Sequence, residues 1–284
     1  MFMIDSNEEN VLYDKYKQVY DKSPSFFQYS DKTVEWIPSD TKDNYLKNIN
    51  DPIKKKLLKK NGWIDSKIEY KFNKHGFRCS EFSSSKKGIM FLGCSFTFGV
   101  GLPKEDTWAY QLSQELKLKE INLSCGGGSS DYCVRMCFIW LAELKPSIVV
   151  CLLPPIYRFE YVDFRGQTDL KHVHGIERFS DKLMREYDFN SRNVKLKDLK
   201  DFSDGFTYFY DAYTIEESNT VLNRLKNVYA MKNMCEYYGV KFLCLSDVYY
   251  LDIRRQFKDD LARDLFHAGK STNKEIKNIF LKNI

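Results

Sequence analysis

From Gly88 onward, short apolar runs alternate with longer segments of helical period, and this alternation restricts the fold more than any other feature of the chain. The runs "GIMFLGCS", "EINLSC" and "SIVVCLLPP" read as strands, while "TWAYQLSQELK" and "SDYCVRMCFIWLAELK" between them read as helices. Strands that are apolar throughout are buried on both faces, which predicts a parallel sheet covered by helices on either side. Further on, "IEESNTVLNRLKNVYAMKNMCEYYG" is expected to be a helix stopped at Gly239, "VKFLCLSD" another strand, and residues 252 to 283 the closing helices.

Two stretches break this rhythm. Residues 1–87 are rich in Lys, Asp, Asn, Tyr and Ser, and read as an irregular N-terminal extension with short strands and a helix. Within it, "KIEYKFNKHGFRCSEF" suggests two short strands joined by a turn at Asn73 to Gly76. In "PIKKKLLKKNGW" a helix would gather Ile53, Leu57 and Leu58 on one face and leave the lysines solvated. Residues 156–214 are polar and aromatic without a clean period, and are expected to form an insertion over the sheet, a lid or substrate wall. The domain proper is then 88–284.

Composition removes several classes of function. With 284 residues and 43% hydrophobic residues the chain can bury a large core. A net charge of +5, from 44 basic against 39 acidic residues, is too balanced for a nucleic-acid partner without a concentrated patch. No apolar run reaches the length of a membrane span, and the acidic start "MFMIDSNEEN" is unlike a signal peptide, so a cytoplasmic protein is expected. The eight cysteines lie mostly inside apolar stretches and lack a C-x-x-C pair, so they read as reduced core residues; Cys133 and Cys137 share a helix face without a second ligand pair. His172 and His174, with Asp169 and Glu177 nearby, form an H-x-H that is read as loop histidines in preference to a metal site.

The chemistry centres on "FLGCSFTFGVG", where Ser95 follows the first predicted strand. The glycines do not make a P-loop, because Gly99 and Gly101 lead into Leu102 and Pro103 instead of Lys and Ser or Thr. Nor is this the G-x-S-x-G elbow, since Thr97 takes the last glycine's place. Near the C-terminus, "RDLFHAGKSTN" carries a D-x-x-H, Asp264 and His267, on a loop entering a helix. Read singly, Ser95 is a turn serine, Asp264 a helix cap, His267 a surface residue and "GGGSS" a flexible turn. Their order along the chain joins them.

In that order the chain resembles the SGNH hydrolases, also called GDSL esterases and lipases. The first block resembles "GCSFTFG", the second "NLSCGGGSSD" from Asn122 to Asp131, and the last "DLFH". The resemblance implies a three-layer α/β/α fold with a mainly parallel sheet, of SGNH-hydrolase or flavodoxin-like type, and ester hydrolysis without cofactor or metal. It implies Ser95 as nucleophile, His267 as base and Asp264 as the residue orienting the imidazole. The oxyanion hole would be the N–H groups of Ser95 and Gly127, with Gly126 and Gly128 as alternatives. The family's third block has an asparagine donor, whereas "CLLPPIYRFEY" has none, which leaves Arg158 or Tyr157 as a substitute. The expected partner is a small-molecule or glycan ester, most of all an O-acetyl group on a carbohydrate. Tyr157, Phe159, Tyr161 and Phe164, interleaved with Arg158 and Arg165, would stack on sugar rings or pack the insertion. The alternative is an SGNH scaffold whose catalysis has decayed, used to bind glycans or build a particle.

Overall fold

The computed structural model describes residues 27–83, 87–162, 170–173, 213 and 217–284. Four parallel strands form the central sheet: β3 (Gly88–Leu92), β4 (Lys119–Asn122), β5 (Ile148–Leu152) and β8 (Lys241–Leu245), in the order β4-β3-β5-β8. Every residue of β3 is buried, because its alternating side chains enter two different cores. Ile89 and Phe91, with Val150 and Leu152 of β5, face α4 (Trp108–Glu115), α7 (Asp247–Gln256) and α8 (Lys270–Leu281). Met90 and Leu92, with Val149 and Cys151, face α5 (Ser130–Leu144) and α6 (Glu217–Tyr237). The result is an α/β fold in three layers.

The predicted elements of this body are present, and local chemistry sets their ends. The Ser129 side chain accepts the Tyr132 N–H at the start of α5, and Lys145 turns left-handed (φ 46°) at its end. Gly239, at φ +66°, follows α6 as expected. All eight cysteines are free thiols; seven are buried, and Cys244 is exposed on the edge strand β8.

Residues 27–83 contain α1 (Lys42–Asn50), α2 (Pro52–Lys60) and the short strands β1 (Thr33–Val34) and β2 (Tyr70–Lys71). Ile37, Leu58, Trp63, Ile68, Tyr70, Phe72 and Phe77 belong to the same buried cluster as Met90, Leu92 and Met136. The expected hairpin is corrected: the turn forms, with Asn73 N–H on Phe77 O (2.9 Å) and Gly76 N–H on Asn73 O (2.9 Å), but β2 pairs with β1 and not with the stretch after Gly76. Asn73 draws the chain inward at that point, its Oδ1 accepting the N–H groups of His75 and Phe77 (both 3.0 Å). On α2 the lysines are solvated, yet Leu58 alone is fully buried and Ile53 is 76% exposed, so the apolar face is narrower than expected.

The region expected to be an insertion opens with an antiparallel pair of strands, β6 (Phe159–Val162) and β7 (Leu170–Val173). Glu160 ties β6 to α5 through a two-pronged pair with Arg135 (2.8 and 2.7 Å) and through its N–H on Asp131 (3.0 Å). Phe164, Arg165, Asp169, His174 and Glu177 lie outside the described residues. No helix among the described residues is long and apolar enough to cross a membrane.

Candidate active site

Ser95 sits where the topology of a doubly wound sheet directs a ligand, at the carboxyl end of the central strand β3, with β4 and β5 on either side. Gly93 makes the turn possible: at φ +154° a Cβ there would stand 2.2 Å from Thr97 Oγ1 and 2.9 Å from the Leu152 carbonyl. A one-turn helix, α3 (Ser95–Phe98), follows. Cys94 O accepts the N–H groups of Thr97 (2.9 Å) and Phe98 (3.0 Å), and Ser95 O that of Gly99 (3.0 Å). As the first helical residue, Ser95 keeps its own N–H out of the helical ladder. Its side chain is buried beside the Cys94 thiol.

Asp264 and His267 stand together on a closed loop. Leu261 and Ala268 bridge its ends, and Ala262 N–H donates to His267 O (2.9 Å). The Asp264 carboxylate uses both oxygens: Oδ1 accepts the N–H groups of Phe266 (3.1 Å) and His267 (3.0 Å), and Oδ2 lies 2.5 Å from His267 Nδ1. Leu265 between them adopts φ +57°, a conformation a leucine takes only where its surroundings compel it. His267 is 5% exposed and hence not the surface residue it resembles in isolation. With Nδ1 engaged by the carboxylate, Nε2 is the nitrogen left for a hydroxyl.

The two loops touch. Arg263 N–H donates to Gly101 O (2.9 Å), and the Phe96 ring, next to Ser95, meets the His267 imidazole edge-to-face at 5.9 Å. Phe96 is itself stacked on Tyr250 of α7 (3.9 Å). Neither aromatic carries a motif, so sequence reasoning passed over both.

The second block packs against the first. Asn122 Nδ2 donates to Thr97 O (3.2 Å), and Asn122 Oδ1 accepts the Ser124 hydroxyl (2.5 Å). A Cβ on Gly128 would come within 2.9 Å of Gly93 O. Gly128 N–H turns back to Cys125 O (3.3 Å), which occupies it, whereas Gly127 stands at φ +76° on the same turn. After β5, Arg158 reaches the Cys94 thiol, and its Nη1 lies 3.5 Å from Gly128 O. The Arg158 Nε is buried without a hydrogen-bond partner among the described residues. Burial pushes the Cys94 thiol above its ordinary pKa, with Arg158 opposing, which disfavours the thiolate.

Two aromatic side chains stay exposed at the rim, Tyr157 beside Arg158 and Phe266 beside His267. Among the described residues no group of three or more His, Cys, Asp or Glu could hold a metal; His172 lies on β7, in register with Glu160.

No protein-family model and no curated protein matches the chain. Solved structures do. The psychrotrophic esterase EstA from Pseudoalteromonas sp. aligns over 69% of this chain and 95% of its own, at 14% identity and a TM-score of 0.35. An acetyl xylan esterase, AlAXEase, aligns over 69% and 99%, at 15% identity and a TM-score of 0.30. A GDSL-like lipase from Bacteroides thetaiotaomicron aligns over 70% and 87%, at 10% identity and a TM-score of 0.29. In fold, this chain is similar to the SGNH/GDSL esterases and lipases.

Proposed function

We propose that the chain is a serine esterase, with Ser95 as nucleophile, His267 as general base and Asp264 as the group that orients it. The carrying observation is the buried 2.5 Å contact between Asp264 and His267, on a loop bonded directly to the loop that follows Ser95. In the reaction His267 Nε2 takes the hydroxyl proton as Ser95 Oγ bonds to the acyl carbon. The tetrahedral oxyanion is met by the N–H groups of Ser95 and Gly127, with the Arg158 guanidinium as third donor. Collapse breaks the ester C–O bond, and Nε2 returns the proton to the leaving alcohol. Water then gives its proton to Nε2 and attacks the acyl-Ser95 ester, releasing the acid and restoring the serine.

The substrate we propose is a small O-acyl group, acetyl above all, on a carbohydrate. The buried serine favours a small acyl chain, and the exposed rings of Tyr157 and Phe266 offer faces on which a sugar can stack. Release of p-nitrophenol from p-nitrophenyl acetate by wild type, Ser95→Ala and His267→Ala tests the assignment, with turnover expected in the wild type alone. A second reading has one observation in its favour: the third donor is a guanidinium already close to Gly128 O, so this scaffold can bind glycan esters without cleaving them. Glycan affinity retained in Ser95→Ala, with no hydrolysis by wild type, would select it.

A further inference from the structure

We infer that residues 27–83 position the two reacting loops through a closed ring of hydrogen bonds made by Asp40, Tyr70, Gly101 and Arg263, an inference that rests on the serine-esterase reading. The Arg263 guanidinium donates to Asp40, Nη2 to Oδ2 at 2.7 Å and Nε to both oxygens at 3.2 Å. The Tyr70 hydroxyl donates to the same Oδ2 (2.5 Å) and accepts the Gly101 N–H (2.8 Å). Gly101 O accepts the Arg263 N–H (2.9 Å), which closes the ring. One member follows Ser95 on its loop, and another immediately precedes Asp264. The other two belong to the N-terminal segment.

The ring has little slack. Arg263 is fully buried, its Nη2 also donates to Glu35 O (2.8 Å), and its guanidinium lies 3.9 Å over the Trp36 ring. Burial and the Asp40 charge hold the Tyr70 hydroxyl protonated, so it remains a donor to the carboxylate. Two struts flank the ring. Arg78, stacked 4.4 Å over Tyr70, donates to the carbonyls of Gly99 (2.8 Å) and Leu102 (2.7 Å). Trp63 Nε1 donates to Leu261 O (2.6 Å) on the loop of Asp264. Charge-assisted bonds in a dry site are directional, so they set a position where apolar contact would tolerate sliding. None of these side chains touches the reacting atoms; they are positioning residues.

The test compares full-length wild type with Tyr70→Phe, because removing Arg263 or Asp40 strands a buried charge and can unfold the chain. In Tyr70→Phe, kcat for p-nitrophenyl acetate is expected to fall about ten- to a hundredfold with KM within about twofold. Amide hydrogen exchange should quicken in both loops, 99–102 and 262–267, while β3 and β5 keep their protection. Lys60→Ala removes an exposed pair with Asp259 (2.9 Å), outside the ring, and should leave kcat unchanged. Wild-type kcat in Tyr70→Phe, or faster exchange confined to 99–102, overturns the inference. Should wild type release no p-nitrophenol, the esterase reading falls, and the exchange pattern alone decides the ring: a gain in both loops upholds it, a gain in one overturns it.

Discussion

Two regions of this molecule are equally dry and built from opposite chemistry. In β3, Ile89, Met90, Phe91 and Leu92 are all fully buried among apolar neighbours. Where residues 27–83 meet the loops of Gly101 and Asp264, Arg263, Asp40 and Tyr70 are as thoroughly buried, and they are held by charge and hydrogen bonds. Apolar burial is non-directional and stabilises in proportion to area, so it makes a body without specifying angstrom-level placement. A buried ion pair contributes little net stability over an apolar pair, but its geometry is defined and its loss is costly. The difference assigns stability to the sheet and placement to the junction.

Five substitutions break or sharpen that contrast. The largest effect is expected at the proposed nucleophile: Ser95→Ala should lower kcat at least about 10⁴-fold while melting like wild type. Steady-state hydrolysis beside thermal denaturation checks both halves. Next comes Arg263→Met, which leaves Asp40 buried and unpaired and should cost about 3–5 kcal/mol in urea unfolding. Adding Asp40→Leu to that variant should recover much of the loss, because an apolar pair needs no partner for a stranded charge. Equal instability of single and double variants would mean that the junction is held by packing, and the contrast would fail.

Smaller effects come from the sheet and the surface. Ile89→Val removes one methylene from the apolar core and should cost about 1 kcal/mol with kcat unaltered. A kcat change there would show that the sheet also sets placement. Lys60→Ala, deleting a pair whose side chains are 58% and 52% exposed, should leave the urea midpoint where it is in wild type.

The asymmetry between the regions also explains what could be read from the residue order. The strand "GIMFL" announced itself because both of its faces are apolar, and the helix of Ser130–Leu144 because of its period. Ser95, Asp264 and His267 were legible as blocks in order; the structure sets Ser95 just after β3 and Asp264 against His267, on a loop bonded to Gly101. Tyr70 and Asp40 gave no such signal. Polar residues in a Lys- and Asp-rich stretch look solvated, and Asp40 finds its partner Arg263 across 223 positions of chain. The expected strand after Gly76 failed for a related reason: alternation marks a strand but does not name its partner, and β1 supplied the partner from upstream.

What the sequence determined by itself is therefore the local and the periodic: strands, helices, their caps, and the order of the serine, glycine and D-x-x-H blocks. Hydrophobic burial and backbone geometry act over a few residues, so their traces survive in a linear string. Only the tertiary structure decided that Gly128 N–H is occupied, that Arg158 lies beside Gly128 O, and that Arg263 closes a ring with Asp40. Those outcomes depend on partners distant along the chain, and a hydrogen bond has no period by which residue order could reveal it.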